Sequence, residues 1–165
     1  MPEAIPASFP DRGHDHGRCV SDALGTAEAL CSERGVRLTP LRRRVLELVW
    51  SRHEPMRAYD LLDELRAERR RAAPTTVYRA LDFLIENGLV HKIESLNAFV
   101  GCIGPRTPHV GQFLICRNCG AVAEFDDVEI SRMISRKARK IGFHIQHQTI
   151  EITGLCADCG PVGAV

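Results

Sequence analysis

The chain has 165 residues, of which 44% are hydrophobic and 26% charged, and its formal net charge is +1. This composition is typical of a globular protein with one domain or two small ones, and the near-neutral charge excludes a bulk polycation. No run approaches the roughly 18 apolar residues that a membrane span needs, and the first residues lack the pattern of a signal peptide. We therefore expect a cytoplasmic protein whose seven cysteines hold metal or do redox chemistry.

The first half of the chain is predicted to be helical. Residues 1–19 are rich in Pro, Gly and charge, and we expect them to form a disordered tail. A first helix is predicted between Val20 and Arg34. The second helix is expected to begin with Thr39 as its N-cap and Pro40 in its first position, and a third covers Ala58–Glu68. The arginine runs 42–44 and 69–71 are candidate phosphate contacts, with solvated surface as an equal alternative.

The segment APTTVYRALDFLIENG predicts a fourth helix that is polarised along its length. Its apolar face repeats at helical spacing and comprises Val77, Ala80, Leu81, Leu84 and Ile85. Gly88 is expected to end it. The other face carries donors and one cation early, and Asp82 and Glu86 late. Such a helix can place its N-terminal end in a DNA major groove, although a helical core with a solvated face remains the alternative.

After Gly88 the hydrophobic period changes from helical to alternating. The segments LVHKIES and AFVGCI predict two strands joined by a turn near Leu96 and Asn97. Helices followed by a hairpin are typical of a winged helix-turn-helix domain, here residues 20–102. The Pro- and Gly-rich segment 103–112 is predicted to be a hinge.

Residues 113–165 are predicted to form a small α/β domain. Two strands, FLIC and AVAEF, precede a helix that is opened by the capping pattern of Asp126 and Glu129 and ended by Gly142. The apolar positions expected along this helix are Ile130, Ile134 and Ile141. A last strand, FHIQHQTIEI, follows, so the whole chain is predicted to have an α+β fold.

Two C-x-x-C turns lie at the two ends of this second domain. They contain Cys116 with Cys119 and Cys156 with Cys159. Four thiolates make the usual tetrahedral site of structural zinc, which contributes about 10–16 kcal/mol to the folding of small metal domains. Two independent redox dithiols are the alternative interpretation.

A second set of donors is distributed over the wing, the hinge and the second domain: His91, Cys102, His109 and Glu124. Taken singly, each has an ordinary structural explanation. Together they supply one sulfur, two nitrogens and one oxygen, a workable zinc set in which thiolate and carboxylate balance the charge of Zn²⁺. A metal bound by all four would couple metal occupancy to the angle between the domains.

Several motifs together resemble the ferric uptake regulator family over residues 20–160: VRLTPLRRRVLELV, APTTVYRALDFL, GLVHKIES, FLICRNCGAVAEF and GLCADC. The AYDLLD and VHKIES segments and the isolated Cys102 are most similar to its zinc uptake regulator branch. The resemblance implies a zinc-responsive repressor of zinc uptake genes that binds pseudo-palindromic operator DNA as a zinc-loaded homodimer. Whether one or two dimers occupy an operator is left open.

The resemblance also implies two zinc ions per chain. The structural zinc falls on Cys116, Cys119, Cys156 and Cys159, and the regulatory zinc falls on His91, Cys102, His109 and Glu124. The DNA-reading helix falls on residues 75–86, with Arg79 as the base contact, and the other DNA-binding residues are Tyr59, Thr75, Thr76 and Tyr78.

Other functions remain as alternatives. A relative that senses iron, manganese or peroxide is the nearest one, although a cysteine in the second set favours zinc. A cysteine-based redox regulator is another. We do not expect an enzyme, because both donor sets have four protein ligands and leave no position for a reactive water.

Overall fold

The structure is a computed structural model, and it describes residues 9, 15–52, 54–68 and 70–160. The chain divides into two compact units: the N-terminal unit ends at Arg106, and the C-terminal unit begins at Thr107. This division falls inside the segment predicted to be a hinge. None of the helices in the described ranges has the length and apolar character needed to span a lipid bilayer.

The N-terminal unit begins with four helices: α1 (His16–Glu33), α2 (Pro40–Trp50), α3 (Ala58–Glu68) and α4 (Pro74–Glu86). Their apolar faces pack into one core, in which Leu61, Val77 and Leu84 are at most 1% exposed. The predicted starts of α2 and α3 are confirmed. Thr39 Oγ1 accepts a hydrogen bond from the Arg42 N–H at 3.4 Å, which satisfies one of the free donors at the start of α2.

Helix α1 begins four residues earlier than predicted, so the prediction of a disordered tail is wrong for residues 16–19. The reason is the side chain of Asp15, whose Oδ1 accepts hydrogen bonds from the N–H groups of Gly17 and Arg18 at 3.0 and 3.4 Å. An aspartate in this position stabilises a helix start. Residues 1–8 and 10–14 of the predicted tail lie outside the described residues.

Helix α4 ends before Gly88, as predicted, and this glycine has a φ of +67°. One inward residue was predicted wrongly, since Ile85 is 36% exposed while Phe83 is 9% exposed. The Arg42 guanidinium lies 3.6 Å from the centroid of the Phe83 ring. This cation–π contact and the large apolar area of the ring favour burying Phe83 instead.

A β-hairpin completes the N-terminal unit, as predicted. Strands β1 (Val90–Ile93) and β2 (Ala98–Gly101) are antiparallel, and the turn between them contains Asn97 with a φ of +46°. Met56 and Phe99 exchange backbone hydrogen bonds at 3.0 and 2.8 Å, which ties the hairpin to the α2–α3 connection. Four helices and this hairpin form a winged helix-turn-helix domain.

The C-terminal unit contains a three-stranded sheet and one helix. Its elements are β3 (Gly111–Cys116), β4 (Val122–Phe125), α5 (Val128–Lys140) and β5 (Thr149–Gly154). The strand order is β4-β3-β5, with β4 antiparallel and β5 parallel to β3. Phe113 and Ile115 on the central strand are at most 3% exposed. Together the two units confirm the predicted α+β fold.

Two details of the C-terminal unit differ from the predictions. The N-cap of α5 is Asp127 rather than Asp126, and its Oδ1 accepts from the N–H groups of Glu129 and Ile130 at 2.8 and 3.1 Å. The helix begins at Val128, so only Asp127 is placed to cap it. The last strand begins at Thr149 rather than at Phe143.

The apolar residues of α5 are not buried within one chain. Ile130 and Ile134 are half-buried, and no residue of this helix is fully buried. Ile141, which was predicted to line the helix, follows its last residue and is 83% exposed. The basic last turn and Gly142 after it agree with the prediction, and this glycine has a φ of +75°.

Candidate metal centre and nucleic-acid interface

The two C-x-x-C turns meet at one end of the C-terminal sheet. Strand β3 ends at Cys116, and the neighbouring parallel strand β5 ends opposite it at Gly154. Both turns therefore follow the carboxyl ends of adjacent parallel strands. Each is closed by a backbone hydrogen bond, from Gly120 N–H to Cys116 O at 2.9 Å and from Gly160 N–H to Cys156 O at 2.8 Å.

The four cysteine side chains form a compact cluster. The Sγ atoms of Cys116, Cys119, Cys156 and Cys159 all lie within 4.8 Å of one another, and those of Cys119 and Cys156 are 3.7 Å apart. A tetrahedral zinc with Zn–S bonds of about 2.3 Å implies S···S distances of about 3.8 Å. The four residues thus fit a zinc ion in both chemistry and spacing.

The protein prepares these thiols unequally for metal binding. Hydrogen bonds from the backbone of Cys119 and Cys156 lower the pKa of Cys116 to about 6. The Cys156 N–H donates to Cys116 Sγ, with 3.4 Å between the nitrogen and the sulfur. Burial, together with hydrogen bonds to Cys159 and Cys116, raises the pKa of Cys156. One thiolate is therefore available near neutral pH, whereas zinc must displace a proton from its neighbour.

Cys119 is a second thiol whose ionisation is disfavoured. The backbone of Ala121 lowers the pKa of Cys119, but hydrogen bonding with Cys116 and burial outweigh it and raise that pKa. Since bound zinc stabilises thiolates, filling the cluster releases protons and depends on pH.

Two members of the second donor set, His109 and Glu124, are in contact in the C-terminal unit. Their Nε2 and Oε1 atoms are 2.7 Å apart, and both side chains are 4% exposed. His109 Nδ1 lies 2.7 Å from the carbonyl oxygen of Thr107, which can only accept. This contact directs Nε2 toward Glu124, and a backbone carbonyl that holds one ring nitrogen in this way is the usual means of orienting a zinc-ligating histidine.

The other two members, His91 and Cys102, belong to the hairpin of the N-terminal unit. His91 is half-buried on β1, opposite Val100 on β2. Cys102 follows β2, is 3% exposed, and donates its N–H to Leu89 O at 3.0 Å. The hairpin register thus brings both backbones to the same end of the two strands.

The predicted DNA-binding residues lie around the first turns of α3 and α4. Tyr59 and Tyr78 are 66% and 42% exposed, Thr75 and Arg79 are exposed, and Thr76 is half-buried. Each side chain is accessible to a partner.

The start of α4 is itself open. Ala73 precedes the helix and makes no side-chain cap, Pro74 has no N–H, and the N–H groups of Thr76 and Val77 donate to Ala73 O at 3.0 and 3.4 Å. The Thr75 N–H is therefore the group of this turn that is placed to meet an anion such as a phosphate. Arg66 Nε donates to Ala72 O at 3.2 Å, which holds the connection between α3 and α4.

The arginine run 42–44 makes contacts within the unit. Arg42 covers the Phe83 ring, and Arg43 Nε lies 2.7 Å from Glu28 Oε1. Arg44 pairs with Glu68 and with Glu47, the latter at 2.9 Å, and these hydrogen bonds raise the pKa of Arg44. These arginines join helices to one another, which leaves them less available to phosphates than predicted.

A contact between Trp50 and Gly101, next to His91 and Cys102, was not predicted from the sequence. The indole of Trp50, the last residue of α2, packs against the backbone of Gly101, the last residue of β2. A glycine inside an alternating strand pattern was its only signal.

Comparisons with known proteins agree with this architecture. A family model described as the ferric uptake regulator family matches residues 33–153. The zinc uptake regulation protein of Escherichia coli (strain K12) is 45% identical to this chain over 146 residues, which are 88% of this chain and 85% of that protein. The zinc uptake regulation protein of Mycobacterium tuberculosis (strain CDC 1551 / Oshkosh) is 34% identical over 131 residues, 78% of this chain and 98% of that protein.

A solved structure described as zinc uptake regulator complexed with zinc and DNA has a TM-score of 0.81 and 45% sequence identity, covering 84% of this chain and 93% of that one. The helices, hairpin and cysteine cluster described above thus occur in a chain that relatives match over most of their length. On the family match and these identities, this chain belongs to the ferric uptake regulator family.

Proposed function

We propose that this protein is a cytoplasmic, zinc-responsive transcriptional repressor that binds pseudo-palindromic operator DNA as a zinc-loaded homodimer and controls zinc uptake genes. The observation that carries this proposal is the likeness to the zinc uptake regulator complexed with zinc and DNA. Membership in a family of regulators, rather than of enzymes, agrees with it.

The proposal assigns two zinc ions to each chain, with different roles. The cysteine cluster holds the first, which stabilises the C-terminal unit. All four of its ligands belong to that unit, so this zinc has no direct means of changing how the winged helix binds DNA.

The second zinc is the regulatory one, and we assign it to His91, Cys102, His109 and Glu124. The buried His109–Glu124 pair supports this assignment, because two candidate ligands already face each other and the Thr107 carbonyl orients the histidine ring. The buried Cys102 thiol would supply the soft donor that favours zinc over manganese.

This ligand set takes two members from each unit, so zinc would restrict the relative motion of the units and pay part of the ordering cost of DNA binding. A switch from 1:99 to 99:1 needs about 5.5 kcal/mol of differential zinc binding. By linkage, operator DNA tightens zinc binding by the same factor.

On DNA, the start of α4 would enter the major groove. Arg79 would donate to guanine, while Tyr59, Thr75, Thr76 and Tyr78 position the helix on phosphates or bases. Two winged helices of a dimer would read half-sites about 34–36 Å apart, one helical turn of the duplex. The exposed first turn of α4, which lacks a side-chain cap, supports a phosphate contact there.

A second copy of the chain would cover the apolar surface of the C-terminal unit. Its exposed large apolar side chains are Val128, Met133, Ile141, Phe143, Ile152 and Leu155. Strand β5 lies at the edge of the sheet. Such surfaces and edges mark association sites, and dimerisation would bury them.

The test is operator binding at buffered free zinc by His91→Ala and Cys102→Ser. Both variants should lose zinc-dependent binding while they retain one tightly held zinc per chain. Cys19→Ser removes a cysteine outside both clusters and is the matched control. If His91→Ala and Cys102→Ser still bind the operator tightly only when zinc is added, the regulatory site is assigned wrongly.

The same titration separates the alternatives. Restoration of binding by iron or manganese at lower free concentrations than zinc would favour another sensor of the family. Thiol alkylation that becomes fast only after chelation would oppose a redox switch at the cysteine cluster.

A further inference from the structure

The indole of Trp50 fills the space that a side chain at position 101 would need. A Cβ atom built on Gly101 would lie 2.2 Å from both Cε2 and Nε1 of Trp50 and 2.7 Å from its Cζ2. Gly101 is not among the residues of positive φ, so its backbone conformation does not require glycine. Space for the indole is therefore the reason for glycine at this position.

The contact between Trp50 and Gly101 lies at one cross-strand residue pair of the hairpin. Gly101 pairs with Val90 across the two strands. The next residue after Val90 is His91, and the next residue after Gly101 is Cys102. Both proposed ligands are therefore direct neighbours of the residue pair against which the indole packs. Successive residues of a strand point to opposite faces. The indole therefore packs against the face of the hairpin that Val90 and Gly101 share, and the His91 side chain projects from the opposite face.

From this geometry we propose that Trp50 and Gly101 are positioning residues for the regulatory zinc, fixing the spacing of His91 and Cys102. The inference rests on the proposed function, because it takes these two residues to be zinc ligands. The new element is the role of Trp50 at the end of α2, which packs against the face of the β1–β2 hairpin opposite His91. A methyl group at position 101 would push the end of β2 away from the indole and carry Cys102 with it.

The size of this shift is large for a metal site. Ordinary contact distances begin at 3.4 Å, whereas the added Cβ would lie 2.2 Å from the ring. Relief of the overlap needs a movement of about 1 Å, well beyond the ±0.2 Å that metal–ligand distances tolerate. Residues that orient metal ligands typically change metal affinity by about 10- to 100-fold when they are mutated.

The experiment measures the affinity of the exchangeable zinc in the full chain by competition with a chromogenic chelator. Gly101→Ala should weaken it about 10- to 100-fold, with the tightly held zinc retained. Gly25→Ala is the matched control, because a Cβ at Gly25 meets nothing within 4 Å, and it should leave zinc affinity unchanged. The unfolding temperatures of both variants are also measured. A general loss of stability would appear as a lower unfolding temperature in Gly101→Ala but not in Gly25→Ala.

A second variant removes the overlap. In Trp50→Ala/Gly101→Ala the indole is absent, so zinc should bind more tightly than to Gly101→Ala alone. Equal or weaker binding by the double variant would overturn the steric argument. Wild-type affinity in Gly101→Ala would overturn it as well, provided that Cys102→Ser has lost the exchangeable zinc.

Cys102→Ser also separates the two levels of the argument. If it retains the wild-type zinc affinity, the proposed ligand set fails, and the positioning inference fails with it. The chain has a single tryptophan, so its fluorescence reports this contact directly. The emission of Gly101→Ala should differ from that of the wild type, because the added methyl group displaces the ring from β2, and identical emission would overturn the steric argument.

Discussion

Loss of the zinc in the cysteine cluster should unfold the C-terminal unit and leave the N-terminal unit folded. The perturbation is Cys119→Ser, which removes one half-buried ligand of the cluster. Serine is nearly isosteric with cysteine but is a poor zinc ligand. The effect on stability therefore measures the metal rather than the packing.

The expected magnitude follows from how little apolar surface the C-terminal unit buries. Among its described residues, the buried apolar side chains other than cysteines are Phe113, Ile115, Val122 and Ala123. Burying the three larger ones contributes about 5–9 kcal/mol, whereas structural zinc contributes about 10–16 kcal/mol. Since whole domains are stable by only about 5–15 kcal/mol, this unit should not remain folded without zinc.

Amide hydrogen exchange followed by mass spectrometry distinguishes the two units. In Cys119→Ser, or after chelation of the wild type, peptides from β3 should lose protection, while peptides from α2 and α4 keep it. Cys19→Ser is the control, since it lies on α1 outside the cluster. Protection of β3 that survives complete removal of zinc would refute the reasoning, because packing alone would then stabilise the sheet.

Two further predictions concern the partners. Arg79→Ala should weaken operator binding by about 1–3 kcal/mol in fluorescence anisotropy and change binding to unrelated DNA little; an equal loss on both DNAs would contradict a base contact. Ile152→Lys should give a monomer of unchanged zinc content by light scattering. Thr153→Lys, on the opposite face of the same strand, should remain a dimer, and a dimeric Ile152→Lys would exclude this face from the interface.

Features that depend on neighbouring residues could be predicted from the sequence. Thr39 before Pro40 starts α2, and Gly88 and Gly142 follow α4 and α5 with left-handed backbones. The C-x-x-C turns are local as well, and their meeting follows once β3 and β5 are adjacent parallel strands.

Features decided by tertiary contacts could not be predicted. Phe83 is buried instead of Ile85 because its ring has Arg42 as a partner from another helix. Asp126 and Asp127 are equally good caps by composition, and only the observed start of α5 selects the second. The contact between Trp50 and Gly101 joins residues far apart in the chain, and the glycine in the strand pattern does not by itself identify the tryptophan as its partner.

The division of ligands between the units explains why one chain would use two zinc ions. The cysteine cluster draws all its ligands from the C-terminal unit, and four thiolates bind zinc tightly, so its occupancy would vary little with the zinc supply. The proposed regulatory set mixes sulfur, nitrogen and oxygen and takes ligands from both units, so zinc binding there would also have to order the units. That cost would weaken zinc binding in the absence of DNA. Because linkage is reciprocal, the same cost would make operator DNA and zinc each increase the affinity for the other.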